Sequence, residues 1–263
     1  EFIPDYKIIG SVFSTYILIQ QNDDFFVEAE KFYESMLVDV DDAGVLLDSV
    51  LCDGPGSIQF NLDLDNLLFN KFIVDCGVSE NVVFTSAFAY ALSRFTGNDK
   101  ALFNIVENGR DRFNNYDSIG MFVNTLPLLV DCHNQDVYSF VDDVGALFYS
   151  VLRYNYYPFR LIANKYDIDA NIIFQYIPEW IKDNENVVDL SASESDFISE
   201  MDDLIGDLSV DVVQSGNDYI LSISYSDKYS SDFVNRFARS YNLILKEIMD
   251  SLQSCMFHRY PLD

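Results

Sequence analysis

Basic residues are scarce in this sequence. Its 263 residues include 16 lysines and arginines against 43 aspartates and glutamates, which gives a formal net charge of −27 and a pI near 4.1. Nucleic-acid binding requires clusters of Lys and Arg that contact phosphates. The composition therefore argues against nucleic acid as a partner. We interpret most of the acidic surface as a source of solubility, and a docking role for part of it is the alternative.

Histidine is rarer still, with only His133 and His258 in the whole chain. His133 lies in the polar turn DCHNQD, where we expect a solvated side chain and where a general base is the alternative. His258 belongs to the C-terminal tail. The sequence has no Ser/His/Asp set, no phosphate-binding glycine loop and no paired-histidine metal motif. Acids are abundant, but their spacing singles out no pair for two-carboxylate hydrolysis.

Cysteine and long apolar runs are also limited. The four cysteines lack the close pairing of zinc sites, so we expect reduced core thiols and a cytoplasmic protein. They are Cys52, Cys76, Cys132 and Cys255. No apolar run approaches the ~20 residues that span a bilayer, which predicts no membrane partner. The first residues, EFIPD, include neither a Met nor the basic region of a signal peptide, and such a start is typical of a fragment.

Apolar residues are plentiful, and their spacing predicts a mixed fold. With 49% hydrophobic and 15% aromatic residues, the chain has enough apolar surface for a substantial core, as one large domain or two small ones. Strand-like and helix-like segments alternate, which indicates an α/β or α+β fold. The predicted strands are 6–20, 57–62, 101–107, 121–130, 171–177, 208–213 and 218–225. The predicted helices are 25–37, 64–76, 79–95, 136–154, 158–166 and 230–252.

Capping and turn residues define several boundaries. Asp63 is a candidate N-cap for the helix 64–76, and Gly77 is expected to end it. Gly97 closes the next helix, for which we predict a buried face. That face comprises Val82, Val83, Ala87, Ala89, Tyr90 and Leu92. Residues 39–56 are predicted to form a surface loop, and the acidic residues 183–207 a long excursion. Ser215-Gly216 indicates a hairpin turn between the last two strands.

The stretch SIGMFVNTLP, from Ser118 to Pro127, contains the most unusual residue choices. Gly120 permits backbone geometry that other residues resist. Asn124 and Thr125 then interrupt an apolar run with two hydrogen-bonding side chains, whose unpaired burial costs roughly 1–3 kcal/mol per group. Two interpretations follow: a β-strand with a bulge at this pair, or a polar pair that lines a cavity.

Four segments together resemble the condensation domains of nonribosomal peptide synthetases. SIGMFVNTLPLLVD is similar to the signature I-G-x-F-V-N-T-x-x-x-R of that family. NYYPFR resembles its later H/N-Q-D-x-P-F-E segment, although Arg160 departs from the usual acid. GVSENVVFTSAFAYALSRFTGND and FNIVENGRDR resemble the preceding helix and strand. The order and spacing agree from about Phe32 to Asp250.

The resemblance implies a chloramphenicol-acetyltransferase-like lobe, with a mixed β-sheet flanked by helices. It divides the chain into an N-terminal strand or junction segment (1–24), the lobe (25–252) and a tail (253–263). The family's catalytic motif, H-H-x-x-x-D-G, is absent from this sequence and belongs to the N-terminal half of that domain. The chain therefore resembles a C-terminal lobe, and alone it is expected to be inactive.

The resemblance also implies a set of residues at the tunnel or at the lobe interface, with no catalytic residue among them. Arg110, in the NGRDR segment, is expected to pair with the aspartate of the missing motif. The alternative is that Arg110 is a surface residue beside Asp111. The Asn-Thr pair is expected to line the tunnel, and Pro158 is alternatively a purely structural helix start. The complete set is Arg110, Gly120, Asn124, Thr125, Tyr157, Pro158 and Phe159.

Two classes of function follow from the resemblance. The first is amide-bond formation between carrier-bound aminoacyl or peptidyl thioesters, as part of a complete domain. The second is a non-catalytic, degenerate lobe for carrier-protein docking or scaffolding. Epimerisation and cyclisation relatives share this lobe. The expected partners are the N-terminal lobe, a peptidyl carrier protein and adenylation domains. No cofactor is expected in the chain itself, since the phosphopantetheine arm belongs to the carriers.

The opening of the chain carries a second, short similarity. Residues 5–25 resemble the start of the C-terminal domain of mismatch-repair MutL proteins. The acidic-Gln-His motif that continues that family is absent here, because Phe26 leads into VEAEKFYESML. We therefore assign no function from this segment.

Overall fold

A computed structural model of the protein describes residues 23–43, 45–47, 54–107, 109, 122–133, 136–169, 171–179 and 206–256. These residues form a mixed sheet with helices. The strands are β1 (Gly56–Asn61), β2 (Lys100–Glu107), β3 (Asn124–Asp131), β4 (Ile172–Ile177), β5 (Leu208–Ser215) and β6 (Asp218–Tyr225). The helices are α1 (Asp23–Met36), α2 (Asn66–Cys76), α3 (Glu80–Thr96), α4 (Val137–Arg153), α5 (Phe159–Tyr166) and α6 (Ser231–Met256), with a short 3₁₀ helix at Val40–Asp42.

The strand order across the sheet is β1-β6-β5-β4-β2-β3. Strands β2, β4 and β5 are mutually parallel, whereas β3, β6 and β1 pair antiparallel with their neighbours. The carboxyl ends of β2, β4 and β5 therefore lie side by side along the border that runs across the strand ends. Strand β3 begins at the same border, which is the edge meant in the description of the site. Ligands of open α/β sheets bind outside the carboxyl ends of parallel strands.

The main core lies between one face of this sheet and helices α2, α3, α4 and α6. Strand residues of this face are fully buried with helical aromatics, as in the stacked pair Phe88 and Phe174, whose ring centroids are 4.7 Å apart. Among the described residues, a smaller core on the other face covers β2 and β3. Its buried members come from α1 and the residue after it, β3, the turn before α5, α5 itself and the chain after α5: Ala29, Tyr33, Leu37, Leu129, Tyr157, Ile162 and Ile168.

Most predicted boundaries agree with the structure. Gly77 and Gly97 end α2 and α3 in the left-handed conformation, with φ of 68° and 74°. The predicted cap Asp63 is wrong. The N-cap of α2 is Asp65, whose carboxylate accepts from the backbone N–H groups of Leu67 and Leu68, because the chain stays extended for two more residues. In the predicted buried face of α3, Tyr90 is only half-buried.

Three other predictions need correction. The strand predicted at 121–130 begins at Asn124, since Phe122 and Val123 lie outside the ladder. The predicted bulge is absent, because β2 and β3 pair in continuous register from Lys100↔Asp131 to Glu107↔Asn124. The last helix continues four residues beyond the predicted end, to Met256.

The predicted hairpin is confirmed, with Gly216 and Asn217 between β5 and β6. The predicted strand at 6–20 lies outside the described residues, as does most of the predicted excursion at 183–207. No single described helix combines the length and the apolar composition of a membrane span. Helices α2 and α3 meet that criterion only as a joined pair, which is bent by 98°.

Candidate functional site

The ends of β2 and β3 converge at the edge where the parallel strands finish. Gly109 follows β2 with φ of 67°, and a Cβ atom added there would overlap the carbonyl oxygen of Phe122. Only glycine satisfies both the backbone angle and this close approach. The residues that flank segment 110–121 are therefore in contact. Arg110 and Gly120, predicted at the tunnel or lobe interface, belong to that segment and lie outside the described residues.

Asn124, the first residue of β3, connects this convergence to the turn before α5. Its Nδ2 donates to the carbonyl oxygens of Asn155 and Tyr157, each at 2.7 Å. Its Oδ1 accepts from the backbone N–H of Phe159 at 3.4 Å. One amide side chain thus satisfies three backbone groups of the turn. The structure brings together two segments that are 31 or more residues apart in sequence.

The segment Tyr157 to Phe159 is fixed mainly by packing. The Tyr157 ring is 6% exposed and lies 5.1 Å from Phe26, between ring centroids. Pro158 is the N-cap residue of α5, with φ of −64°, a conformation for which its ring is preorganised. These contacts match the structural interpretation of the segment. Thr125, the other half of the polar pair, is half-buried and faces Val106 across the ladder.

A second polar cluster at the same edge was missed by the sequence analysis. Glu80, in the first turn of α3, accepts a hydrogen bond from the Tyr176 hydroxyl at the end of β4. The Oε1 atom of Gln214 lies 3.3 Å from the same hydroxyl oxygen and accepts from the backbone N–H of Glu179 at 3.2 Å. Burial and the Glu80 carboxylate raise the pKa of Tyr176 well above its ordinary value. No local signal links Glu80 to β4, because the strand is 92 or more residues away in sequence.

His133 lies at the opposite end of β3 and is solvated, with 73% of its side chain exposed. Its ring nitrogens face Asp131 at 3.2 Å and Asp99 at 3.8 Å. A cavity of about 410 Å³ opens beside it, between α3, α4 and α6. Burial raises the pKa of the Cys132 thiol in its wall to about 12, so this thiol stays protonated and inert. An eight-residue strand separates this cavity from Asn124.

Within the part of the chain that the structure describes, no group of three or more His, Cys, Asp or Glu side chains is placed to hold a metal ion. Cys76 and Cys132 are free thiols. The edge formed by Gly109, Phe122, Asn124 and Thr125 offers backbone carbonyls, an amide and a hydroxyl. Such groups orient a substrate, but they do not transfer protons near neutral pH.

Comparison with known protein families gives one match, to the condensation-domain family, over residues 56–256. The chain belongs to the condensation-domain family. Gramicidin S synthase 2 from Brevibacillus brevis is 22% identical over 253 residues, which is 89% of this chain and 6% of the synthase. The synthase of the same name from Aneurinibacillus migulanus is equally similar.

Solved structures support the same architecture. The X-domain from teicoplanin biosynthesis has a TM-score of 0.70 at 15% identity, over 94% of this chain and 61% of that domain. The first condensation domain of the calcium-dependent antibiotic synthetase, bound to a substrate analogue, has a TM-score of 0.68 at 12% identity. The match covers 90% of this chain and 55% of that domain. The epimerization domain of tyrocidine synthetase B has a TM-score of 0.64 at 13% identity, over 90% of this chain and 58% of that domain. This chain thus spans little more than half the length of each of these three solved domains.

Proposed function

We propose that this chain is the C-terminal lobe of a condensation domain that joins carrier-bound aminoacyl or peptidyl thioesters through amide bonds. The observation that carries the proposal is the meeting of two family segments at one edge of the sheet, where Asn124 binds the turn that ends at Phe159. The family match covers this region, and the chain spans 55–61% of the solved domains quoted above.

In this reaction the amine of the acceptor attacks the thioester carbonyl of the donor. The new C–N bond forms as the C–S bond breaks, and the proton lost by nitrogen goes to the departing thiolate of the phosphopantetheine arm. A base in the remaining lobe orients or deprotonates the amine. The lobe described here contributes the rigid frame: the β2–β3 edge and the turn before α5 form one wall, and substrates held in a fixed orientation react faster.

In the proposal each residue of the set has a role in that wall. Arg110 follows Gly109 in the sequence, and in the proposal it pairs with a carboxylate of the other lobe. Asn124 positions the turn, and Thr125 lies beside it on β3. Tyr157, Pro158 and Phe159 form the turn, and Gly120 permits backbone geometry that other residues resist. The partners are the N-terminal lobe, carrier proteins and adenylation domains, and the compartment is the cytoplasm.

A second function is favoured by one of the similar structures. The X-domain from teicoplanin biosynthesis has been solved as a complex with OxyB, at a TM-score of 0.69 to this chain. A lobe of this architecture can therefore belong to a domain that binds another protein. In this alternative the chain is a non-catalytic, degenerate lobe for carrier-protein docking or scaffolding.

The test is peptide formation with loaded donor and acceptor carriers, for the isolated chain and for the full-length protein. The isolated chain should give no product above the rate without protein, and carriers without phosphopantetheine should give none with either. The full-length protein should form the amide, and His133→Ala should not change its rate. An inactive full-length protein favours the docking alternative. Turnover by the isolated chain that disappears in His133→Ala would contradict the proposal.

Arg110→Ala separates a lobe contact from an ordinary surface residue. If the pair with a carboxylate of the other lobe is buried, leaving that carboxylate unpaired costs about 3–5 kcal/mol, so the full-length protein should lose most of its condensation rate. The melting temperature of the isolated chain should hardly change, since the partner is absent. A strongly destabilised isolated chain, or a fully active full-length protein, would make Arg110 a structural residue.

A further inference from the structure

The cavity between α3, α4 and α6 has the size and the lining of a small-molecule site. Its volume of about 410 Å³ falls within the range of roughly 300–1,000 Å³ that ligand pockets occupy. Apolar side chains of α4 and α6 form one part of its wall: Val137, Phe140, Ile244 and Ile248. All the residues that line it belong to the described part of the chain. We call it the helical cavity.

Charged groups of both signs line the helical cavity beside this apolar wall. The guanidinium of Arg94, on α3, lies 3.5 Å from the carboxylate of Asp99, and about half of each side chain is exposed. Glu247 of α6 is exposed and contributes a second carboxylate. The wall thus contains a partner for a carboxylate and partners for an ammonium group. Pockets with an apolar wall and a few polar groups of this kind orient a ligand by its charges.

Arg94 is held in place but keeps donors for a ligand. The carbon of its guanidinium lies 5.0 Å from the centre of the Tyr90 ring, which also lines the cavity. Both hydrogen bonds that it makes within the described residues use Nη2, one to the Ser93 hydroxyl at 3.1 Å and one to Asp99 at 3.5 Å. The N–H groups of Nε and Nη1 therefore remain for a carboxylate, and hydrogen bonds between two charged groups are the strong ones.

We propose that the helical cavity binds a small zwitterion with an apolar side chain, of the class of α-amino acids and dipeptides. Arg94 binds its carboxylate, Glu247 binds its ammonium group, and its apolar side chain packs against Phe140. This site is separate from the edge of the proposed reaction, because it lies at the other end of the eight-residue strand that begins at Asn124. It therefore stands whether or not the chain takes part in amide formation.

The first experiment uses probes that carry one charge or both. L-Phenylalanine and L-leucyl-L-phenylalanine are titrated calorimetrically into the 263-residue chain at neutral pH, in about 0.15 M salt to screen the general attraction of cations. At least one should bind saturably, and the tighter one identifies the size of the ligand. Its N-acetyl and amide derivatives should each bind roughly tenfold more weakly or worse, since each loses a charged hydrogen bond. Equal binding of either derivative, or no saturable binding below about 10 mM, overturns the proposal.

The second experiment assigns each preference to a side chain. Arg94→Gln should abolish the preference for the free carboxylate over the amide, and Glu247→Gln the preference for the free amine over the N-acetyl form. The matched control is Arg153→Gln, because Arg153 is also in the last turn of its helix and over a tyrosine ring, but does not line the cavity. This control should keep both preferences. Preferences that persist in Arg94→Gln and Glu247→Gln contradict the proposal.

Hydrogen exchange locates the bound probe. The zwitterion should slow exchange in 137–140 and 244–248, because a ligand that binds only the folded state opposes opening of the helices that it contacts. Residues 155–159, the turn at the edge of the proposed reaction, should exchange as before. Protection of that turn alone would mean that the probe binds at the reaction edge, and it would reject this site. The expected pattern in a protein that forms no amide would keep the site and reject only the proposed reaction.

Discussion

At the scale of single residues, backbone geometry explains the glycine of the NGR segment. Gly109 combines a φ of 67° with a close approach to Phe122, since a Cβ atom at this position would overlap the carbonyl oxygen of Phe122. Gly216, in the β5–β6 hairpin, has a similar φ of 62° but open space around the position of a Cβ atom. The two glycines therefore separate the strain of the backbone angle from the steric effect of the close approach.

We predict that Gly109→Ala is clearly more destabilising than Gly216→Ala. Both changes place alanine at positive φ, which costs roughly 1–2 kcal/mol. Only the first also forces β2 and β3 apart at Phe122, and it should exceed its control by about 1–3 kcal/mol, the range typical of overpacking. Urea unfolding of the two variants measures the difference. Equal free energies of unfolding would show that the contact relaxes without effect.

Asn124 is the residue whose side chain has the clearest structural function. Asn124→Ala leaves the carbonyls of Asn155 and Tyr157 without their donor, so we expect the free energy of unfolding to fall by about 1–3 kcal/mol. Asn124→Asp should be at least as harmful, because it places a carboxylate against two carbonyl oxygens. Asn155→Ala is the control, since it keeps the backbone carbonyl that Asn124 binds. A change below about 0.5 kcal/mol for Asn124→Ala would contradict this role.

At the scale of elements, α5 is short and depends on its surroundings. It has eight residues, and its N-cap, Pro158, makes no side-chain capping bond. Its first turn contains Arg160, where related condensation domains are expected to have an acid. A positive charge opposes the helix dipole at this end, whereas a negative charge is favourable. The turn before α5 is instead held by Asn124, from a different element.

We predict that Arg160→Glu stabilises the protein. The exposed side chain is replaced by one that suits the helix N-terminus, which contributes about 0.3–1 kcal/mol at low ionic strength. Arg160→Gln should give an intermediate gain, and both gains should shrink in 0.5 M salt because screening weakens the dipole interaction. The melting temperatures of the wild type and of both variants at two salt concentrations test this prediction. A loss of stability in Arg160→Glu would mean that the arginine has a partner in the fold.

At the scale of the whole molecule, the described residues of the two cores cover one face of the whole sheet and the other face at β2 and β3. Asp211 lies on β5, and burial raises the pKa of its carboxyl from 3.8 to about 6. Between these values the folded protein binds a proton that the unfolded chain does not. The contribution of Asp211 to the free energy of unfolding therefore decreases as the pH rises through this window. The loss persists at higher pH.

We predict a pH-dependent difference between the wild type and Asp211→Asn in the isolated chain. Near pH 4 the two should have similar free energies of unfolding. Above about pH 7 the variant should be more stable, by at most about 3 kcal/mol for two pKa units. Urea unfolding from about pH 5 to pH 8 should give diverging curves for this pair, and parallel curves for wild type and Asp218→Asn, the same change at the exposed start of β6. Parallel curves for Asp211→Asn would show that the carboxyl titrates normally.

The sequence alone determined the elements and the family. Strand and helix periodicity, together with glycines at positions 77 and 97, predicted most boundaries because these signals act within one or two turns of backbone. The sequence also identified Asn124 and the turn at Tyr157 as unusual, through their resemblance to the condensation-domain family. The local signals could not distinguish Asp63 from Asp65 as a cap, since both precede the same helix.

Only the tertiary structure decided what these residues contact. The hydrogen bonds from Asn124 to the turn, the approach of Gly109 to Phe122 and the contact of Tyr176 with Glu80 join residues that are 13 to 96 positions apart. The order β1-β6-β5-β4-β2-β3 places Asp211 on a strand in the interior of the sheet. Pairing between distant strands depends on how the whole core packs, and no local pattern of side chains specifies it.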